Sequence, residues 1–161
     1  MKAQGRFTVE SGRDEPYEAL DGGIRLTRAD GKQTFRGDIK ADGAVRWLMV
    51  YRADKTAEVV GVQRLSGTIG GRRGTVVLTT RGTHDGHGSA ITLEIVRGSG
   101  SGELEGISGK GKLTIRGSRT GTYELDYTFG RGSRAAVTER PSSAGAARAT
   151  TRGGRSARSR A

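Results

Sequence analysis

The chain has 161 residues, with 28 Lys and Arg against 17 Asp and Glu for a formal net charge of +11, 28 glycines and no cysteine. Without cysteine there is no disulfide, no thiolate nucleophile and no Cys-ligated zinc, and no apolar run approaches the roughly 18 residues that a membrane span requires. The length suits one hydrophobic core, so the expectation is a cytoplasmic protein with one folded domain, residues 1–129, and no membrane partner.

From Lys2 to Phe129 the pattern has period two: short apolar alternations broken, about every 8–12 residues, by Gly or Asp turns. Long helical periodicity is absent, which predicts an all-β antiparallel sandwich or barrel. The first break is SGRDEPYEALDGG, residues 11–23, which reads as a polar crossover between strands. Its Asp14, Glu15, Glu18 and Asp21 are expected in solvent, although a long connection can also act as a lid whose carboxylates serve as acid or base. Tyr17 in its middle is a candidate ligand contact. In AVRWLMVYR, residues 44–52, two pairings are open. A two-residue turn at Asp54–Lys55 puts Leu48 and Val50 inward, whereas a three-residue turn puts Trp47, Met49 and Tyr51 there.

A two-residue turn at Gly70–Gly71 pairs Leu65 with Val76, Gln63 with Leu78 and Gly61 with Thr80. A second, at Asp85–Gly86, pairs Leu78 with Leu93, Val76 with Ile95 and Thr80 with Ile91. Both turns place Leu65, Val76, Leu78, Ile91, Leu93 and Ile95 on one face, and Thr75, Thr79, Arg81, Thr92 and Glu94 on the other. Gln63 and Thr80 fall on the apolar side. A buried amide or hydroxyl needs partners, so these two either satisfy each other and trapped water or supply the polar contacts of an apolar pocket with Leu78 and Leu93 in its wall.

HDGH sets His84 and His87 opposite each other across the second turn. Two imidazoles begin a metal site, but the third protein ligand would have to be a carboxylate such as Glu15 or Glu18 from the crossover. Solvated turn residues are expected instead, with no metal and no cofactor. In GSGSGELEGISGKGKL, residues 98–113, Gly106 to Lys112 fits the first seven positions of a phosphate loop. The eighth is Leu113, and a strand pattern follows where a helix is needed. The glycines are expected to serve tight turns and close backbone approach at a barrel corner. In the last strand Tyr123, Leu125, Tyr127 and Phe129 alternate with polar residues, which points Tyr123 and Tyr127 inward as candidate ligand contacts. Residues 130–161 hold eight arginines against one acid, and Val137 is their only large apolar residue. Such a segment cannot offset the entropy of ordering it, so a disordered basic tail is predicted.

The succession RFTVES, DEPYEALDGG, LTRA, FRGDI, LMVY, GVQRLSGTIGGRRGTVVL, GSGSGELEGISGKG and TYELDY resembles the bacterial domain of unknown function 3224 over residues 2–129. The resemblance implies a closed antiparallel β-barrel similar to allene oxide cyclase and the plant dirigent proteins, where an apolar interior steers cyclisation or coupling by shape. It also implies an acid before the arginine of GVQRL, where this chain has Gln63. Two functions fit the residues. One is a barrel binding a small hydrophobic or aromatic molecule, oriented by Gln63, Thr80 and the inward tyrosines, with cyclase or isomerase action as its enzymatic form. The other is weak, non-specific nucleic-acid binding through the arginines of the tail. Removing residues 130–161 separates them, since only the second binding is lost. A homo-oligomer is compatible with either.

Overall fold

The structure, a computed structural model, describes residues 1–117 and 119–130. Eight antiparallel strands follow one another around a closed barrel in chain order. They are β1 (Lys2–Leu20), β2 (Ile24–Gly37), β3 (Ile39–Tyr51), β4 (Ala57–Ile69), β5 (Arg72–His84), β6 (Gly88–Ile95), β7 (Ile107–Arg116) and β8 (Thr120–Phe129). Closure comes from β1 pairing with β8, Lys2 against Asp126 through Thr8 against Thr120. No helix among the described residues is long and apolar enough to cross a membrane. The predicted tail lies, from residue 131, outside the described residues.

The Gly70–Gly71 hairpin pairs as its sequence requires, Leu65 with Val76, Gln63 with Leu78 and Gly61 with Thr80. The next hairpin differs. Leu78 pairs with Ile95, Thr80 with Leu93 and His84 with Ser89, so the two-residue turn is Gly86–His87, with Gly86 at φ +90°. Asp85 selects this register: its carboxylate accepts the backbone N–H groups of His87 and Gly88 at 2.9 Å each, which also holds its pKa below the usual carboxylate value. The slip changes each partner by two positions, so every side chain keeps its face. Leu65, Val76, Leu78, Ile91, Leu93 and Ile95 are all buried.

Between β3 and β4 the three-residue turn is the one formed. Arg52 N–H donates to Thr56 O at 2.8 Å, and Lys55 takes a left-handed φ of +70°, the geometry of a type I turn closed by a bulge. Met49 is buried, Trp47 and Tyr51 are half-buried, and Leu48 and Val50 are exposed. Residues 11–20 are a continuation of β1, where a crossover loop was expected. They pair with β2 as far as Leu20 against Ile24, with register shifts between Val9 and Ser11 and between Pro16 and Glu18. This ribbon runs past the point where β8 stops, so neither of its faces is covered and no hydrophobic alternation marks it. Its free edge is protected by Pro16, bulges and charges.

The glycine-rich stretch has two functions in the wall. β6 pairs β5 only from Leu78 onward, which leaves the first half of β5 without a neighbour. Residues 96–101 supply one: Val96 and Ser101 donate backbone N–H groups to Val77 O and Thr75 O at 2.9 Å each, while Ser99 and Ser101 hydroxyls accept the N–H groups of Val77 and Thr75 at 3.1 Å each. Further on, β-carbons added at Gly109 and Gly111 would lie 2.3 and 2.2 Å from carbonyl oxygens of β8, the close backbone approach expected of a barrel corner.

The end of the barrel that carries the termini is filled by Ile39, Ile69, Leu104 and Ile107, each at most 2% exposed, with Arg72 stacked 4.1 Å over Phe129. Above them Phe7, Phe35 and Tyr123 form an aromatic cluster with centroids 5.2 and 5.4 Å apart. The Tyr123 hydroxyl accepts Ile39 N–H at 2.8 Å and lies 3.1 Å from its acceptor Arg36 O, and burial raises its pKa. It thereby ties β8 to the β2–β3 corner across the barrel. Tyr123→Phe strands Ile39 N–H inside the barrel and is expected to destabilise the fold by about 1–3 kcal/mol, measured by denaturant unfolding with an unchanged slope.

Candidate functional site

Consecutive cross-strand partners form rows around the barrel, and several rows have a small residue between two larger ones. In one, Trp47 pairs with Gly61 and Gly61 with Thr80. Because Gly61 has no side chain, the indole lies over it, 2.7 Å from where a β-carbon would be, and its Nε1–H donates to Thr80 Oγ1 at 3.0 Å. In a second, Ala57 separates Tyr51 from His84, and the two rings meet edge to face at 6.2 Å. Gly43 pairs with Gln33 and leaves the space through which that side chain crosses β3. A β-carbon there would lie 3.2 Å from Gln33 Oε1. Gln33 Oε1 then accepts a hydrogen bond from Gln63 Nε2.

These rows give the β2–β5 side of the interior an unusual polarity. Thr27, Gln33, Gln63 and Thr80 are the buried polar residues, each at most 3% exposed. Gln63 Oε1 and Thr27 Oγ1 have no protein hydrogen-bond partner among the described residues. Gln63 is paired with Leu78, and Thr80 with Leu93, so four of the residues singled out from sequence are neighbours in one wall. Tyr123 is buried as predicted, but its hydroxyl is engaged at the β2–β3 corner. Tyr127 is buried at the terminal end, its ring edge-on to Phe129 at 5.9 Å. Tyr17 is 58% exposed on the β1 ribbon, apart from the other candidates.

Above the buried polar layer, toward the β3–β4 and β5–β6 turns, the interior becomes partly open. Tyr51, His84 and Ser89 are half-buried there. His84 Nδ1 is hydrogen-bonded to Ser89 Oγ at 3.1 Å, Arg25 stacks 5.0 Å over the Tyr51 ring, and the Tyr51 hydroxyl points at Asp14 Oδ2 from 3.4 Å. The slipped turn leaves His87 exposed in the turn itself, so the two histidines do not face each other. No group of three His, Asp or Glu side chains converges among the described residues. Glu15, one of the acids in the predicted crossover, is held instead by Arg13 and Arg28 at 2.6 and 3.1 Å.

Burial raises the Tyr51 pKa, and the charge and hydrogen bond of Asp14 raise it further against an opposing effect of Arg25. The unfolded chain therefore gives up this proton at lower pH than the folded one. The associated stability is complete below the usual tyrosine range and is lost as pH rises through that range and beyond. Asp14→Asn is expected to bring the Tyr51 phenol back toward the usual value, read as an earlier phenolate absorbance transition that is absent in Tyr51→Phe.

Gln33, Thr27, Trp47, Tyr51 and His84 were not among the ligand contacts singled out from sequence. For Gln33 and Thr27 a signal existed: counting back by twos from Phe35 puts both on the inward face. The comparisons with known proteins agree with the architecture. A crystal structure from Shewanella oneidensis, of a protein of unknown function, superposes with a TM-score of 0.64 at 29% identity, covering 81% of this chain and 98% of that one. No curated protein is similar enough to this chain to match it. The family described as "Protein of unknown function (DUF3224)" matches residues 3–127, and with that span covering nearly all of the barrel, the chain belongs to the DUF3224 family.

Proposed function

We propose that the barrel binds a small, largely apolar molecule carrying a hydroxyl or N–H group, in the β2–β5 half of its interior. The observation that supports this reading is Gln63 Oε1, an amide oxygen inside the barrel without a protein donor. A buried carbonyl in that position is costly unless something donates to it. The Gln63 amide group is already directed at Gln33, so its oxygen is the acceptor left for a ligand. Thr27 Oγ1, without a partner in the same half, is a second polar contact. Leu78, Leu93, Met49 and Trp47 provide the apolar surroundings that such sites use for most of their contact.

The ligand enters from the end that carries Tyr51 and His84, because the opposite end is closed by buried aliphatic side chains. An enzymatic form of this function is cyclisation or isomerisation of a bound substrate, with the walls selecting one reactive conformation. His84 is then the side chain placed for proton transfer at the entrance, since Nδ1 is engaged by Ser89 while Nε2 is uncommitted among the described residues.

Two variants test the binding site with an anilinonaphthalene sulfonate probe, which carries an N–H donor on an apolar ring system. Gln63→Leu is expected to weaken probe binding about tenfold or more, the loss of one buried hydrogen bond to a ligand, while leaving the empty barrel as stable as the parent or more so. Leu78→Trp is expected to block the probe with the barrel still folded. If both variants bind the probe like the parent, the site is elsewhere. If both are strongly destabilised, the interior is packed core.

A further inference from the structure

The outer face of β3 and β4 carries an aliphatic stripe that a solvated barrel wall does not need. Leu48, Val50, Val60 and Val62 are 51, 42, 45 and 48% exposed. They are contiguous, since Leu48 and Val60 are direct cross-strand partners and the others follow at two-residue steps on the same face. The stripe runs diagonally on to Val77, the neighbour of Arg64 across the β4–β5 pair, and to Val96, 38% exposed and hydrogen-bonded to Val77 O. Contiguous apolar patches of this kind on a soluble surface mark interaction sites.

We propose that this stripe is the interface of a twofold homodimer. Charge selects the partner. One flank of the stripe carries Arg28, Arg46 and Arg64, with Asp30 held by Arg46 at 3.0 Å; the other carries Glu58, Arg81 and Glu94. Turning a second copy about an axis along the stripe lays the aliphatic residues on one another and brings the arginine flank of each copy onto the glutamate flank of the other. An axis across the stripe would set arginine on arginine. A twofold interface is self-complementary by construction, and a single surface with opposite charges on its two sides meets that condition. The chain's own residues 131–161 are a poor alternative cover, because Val137 is their only large apolar residue.

Sedimentation of the full chain tests this. The expected mass is twice the 17.0 kDa of the chain at micromolar concentration. Val62→Glu, an exposed position whose folding is checked by cooperative unfolding, is expected to raise the dimer dissociation constant at least about a hundredfold, as a desolvated charge in an apolar interface should. Arg64→Glu and Glu94→Lys each weaken the dimer, and the double variant recovers most of the loss. A parent that sediments as a monomer at high micromolar concentration overturns the proposal. So does a dimer that Val62→Glu leaves intact, which would place the contact elsewhere or assign it to residues 131–161.

Discussion

Inside an eight-stranded barrel there is not enough room for three adjacent strands to present large side chains at one level. The molecule meets this constraint with Gly43, Ala57 and Gly61 between bulkier neighbours, and each of these small residues produces a contact across the strand that bears it. Trp47 reaches Thr80 over Gly61, Tyr51 meets His84 across Ala57, and Gln33 passes Gly43 to meet Gln63. Had those positions been occupied by valine or leucine, the same wall would have been an aliphatic core. The glycines therefore decide which polar groups are inside, in addition to letting the backbone bend.

The interior is divided along its length as a consequence. The terminal end is sealed by isoleucine and leucine and tied by the Tyr123 hydroxyl, so stability is concentrated there. The turn end is half-buried, aromatic and charged, and it stands above the amide pair. Rigid packing below and polar, partly open packing above suit a site that must admit and orient a molecule without unfolding. On the outer face the two halves of the wall also differ, with an aliphatic stripe across β3 and β4 in place of the charged and hydroxyl side chains that cover β7, β8 and β1.

Much of the barrel was legible wherever one face of a strand is buried. Alternation and the Gly70–Gly71 turn gave β4 and β5 their register, and the inward set survived even where the next turn was placed one residue early, because a two-position slip leaves parity intact. The β1 ribbon was not legible for the complementary reason: strand residues with both faces in solvent carry no period-two signal. The site was read in part. Gln63, Thr80, Leu78 and Leu93 follow from pairing β4, β5 and β6. Gln33 needed the β2–β3 register as well, and its contact with Gln63 depends on an intervening glycine that has no sequence signature of its own. Similarly, the inward tyrosines were evident from alternation, whereas the use of the Tyr123 hydroxyl as a tie to Ile39 depends on which corner the ring happens to face.

The central claim is that the polar layer around Gln63 is occupied by a molecule when the protein is in its own cell. Native mass spectrometry of the chain purified from its own host, beside Leu78→Trp purified in the same way, tests this most directly. The account predicts a small molecule retained by the parent, released on unfolding and missing from the variant. The bare chain mass for both proteins would contradict it.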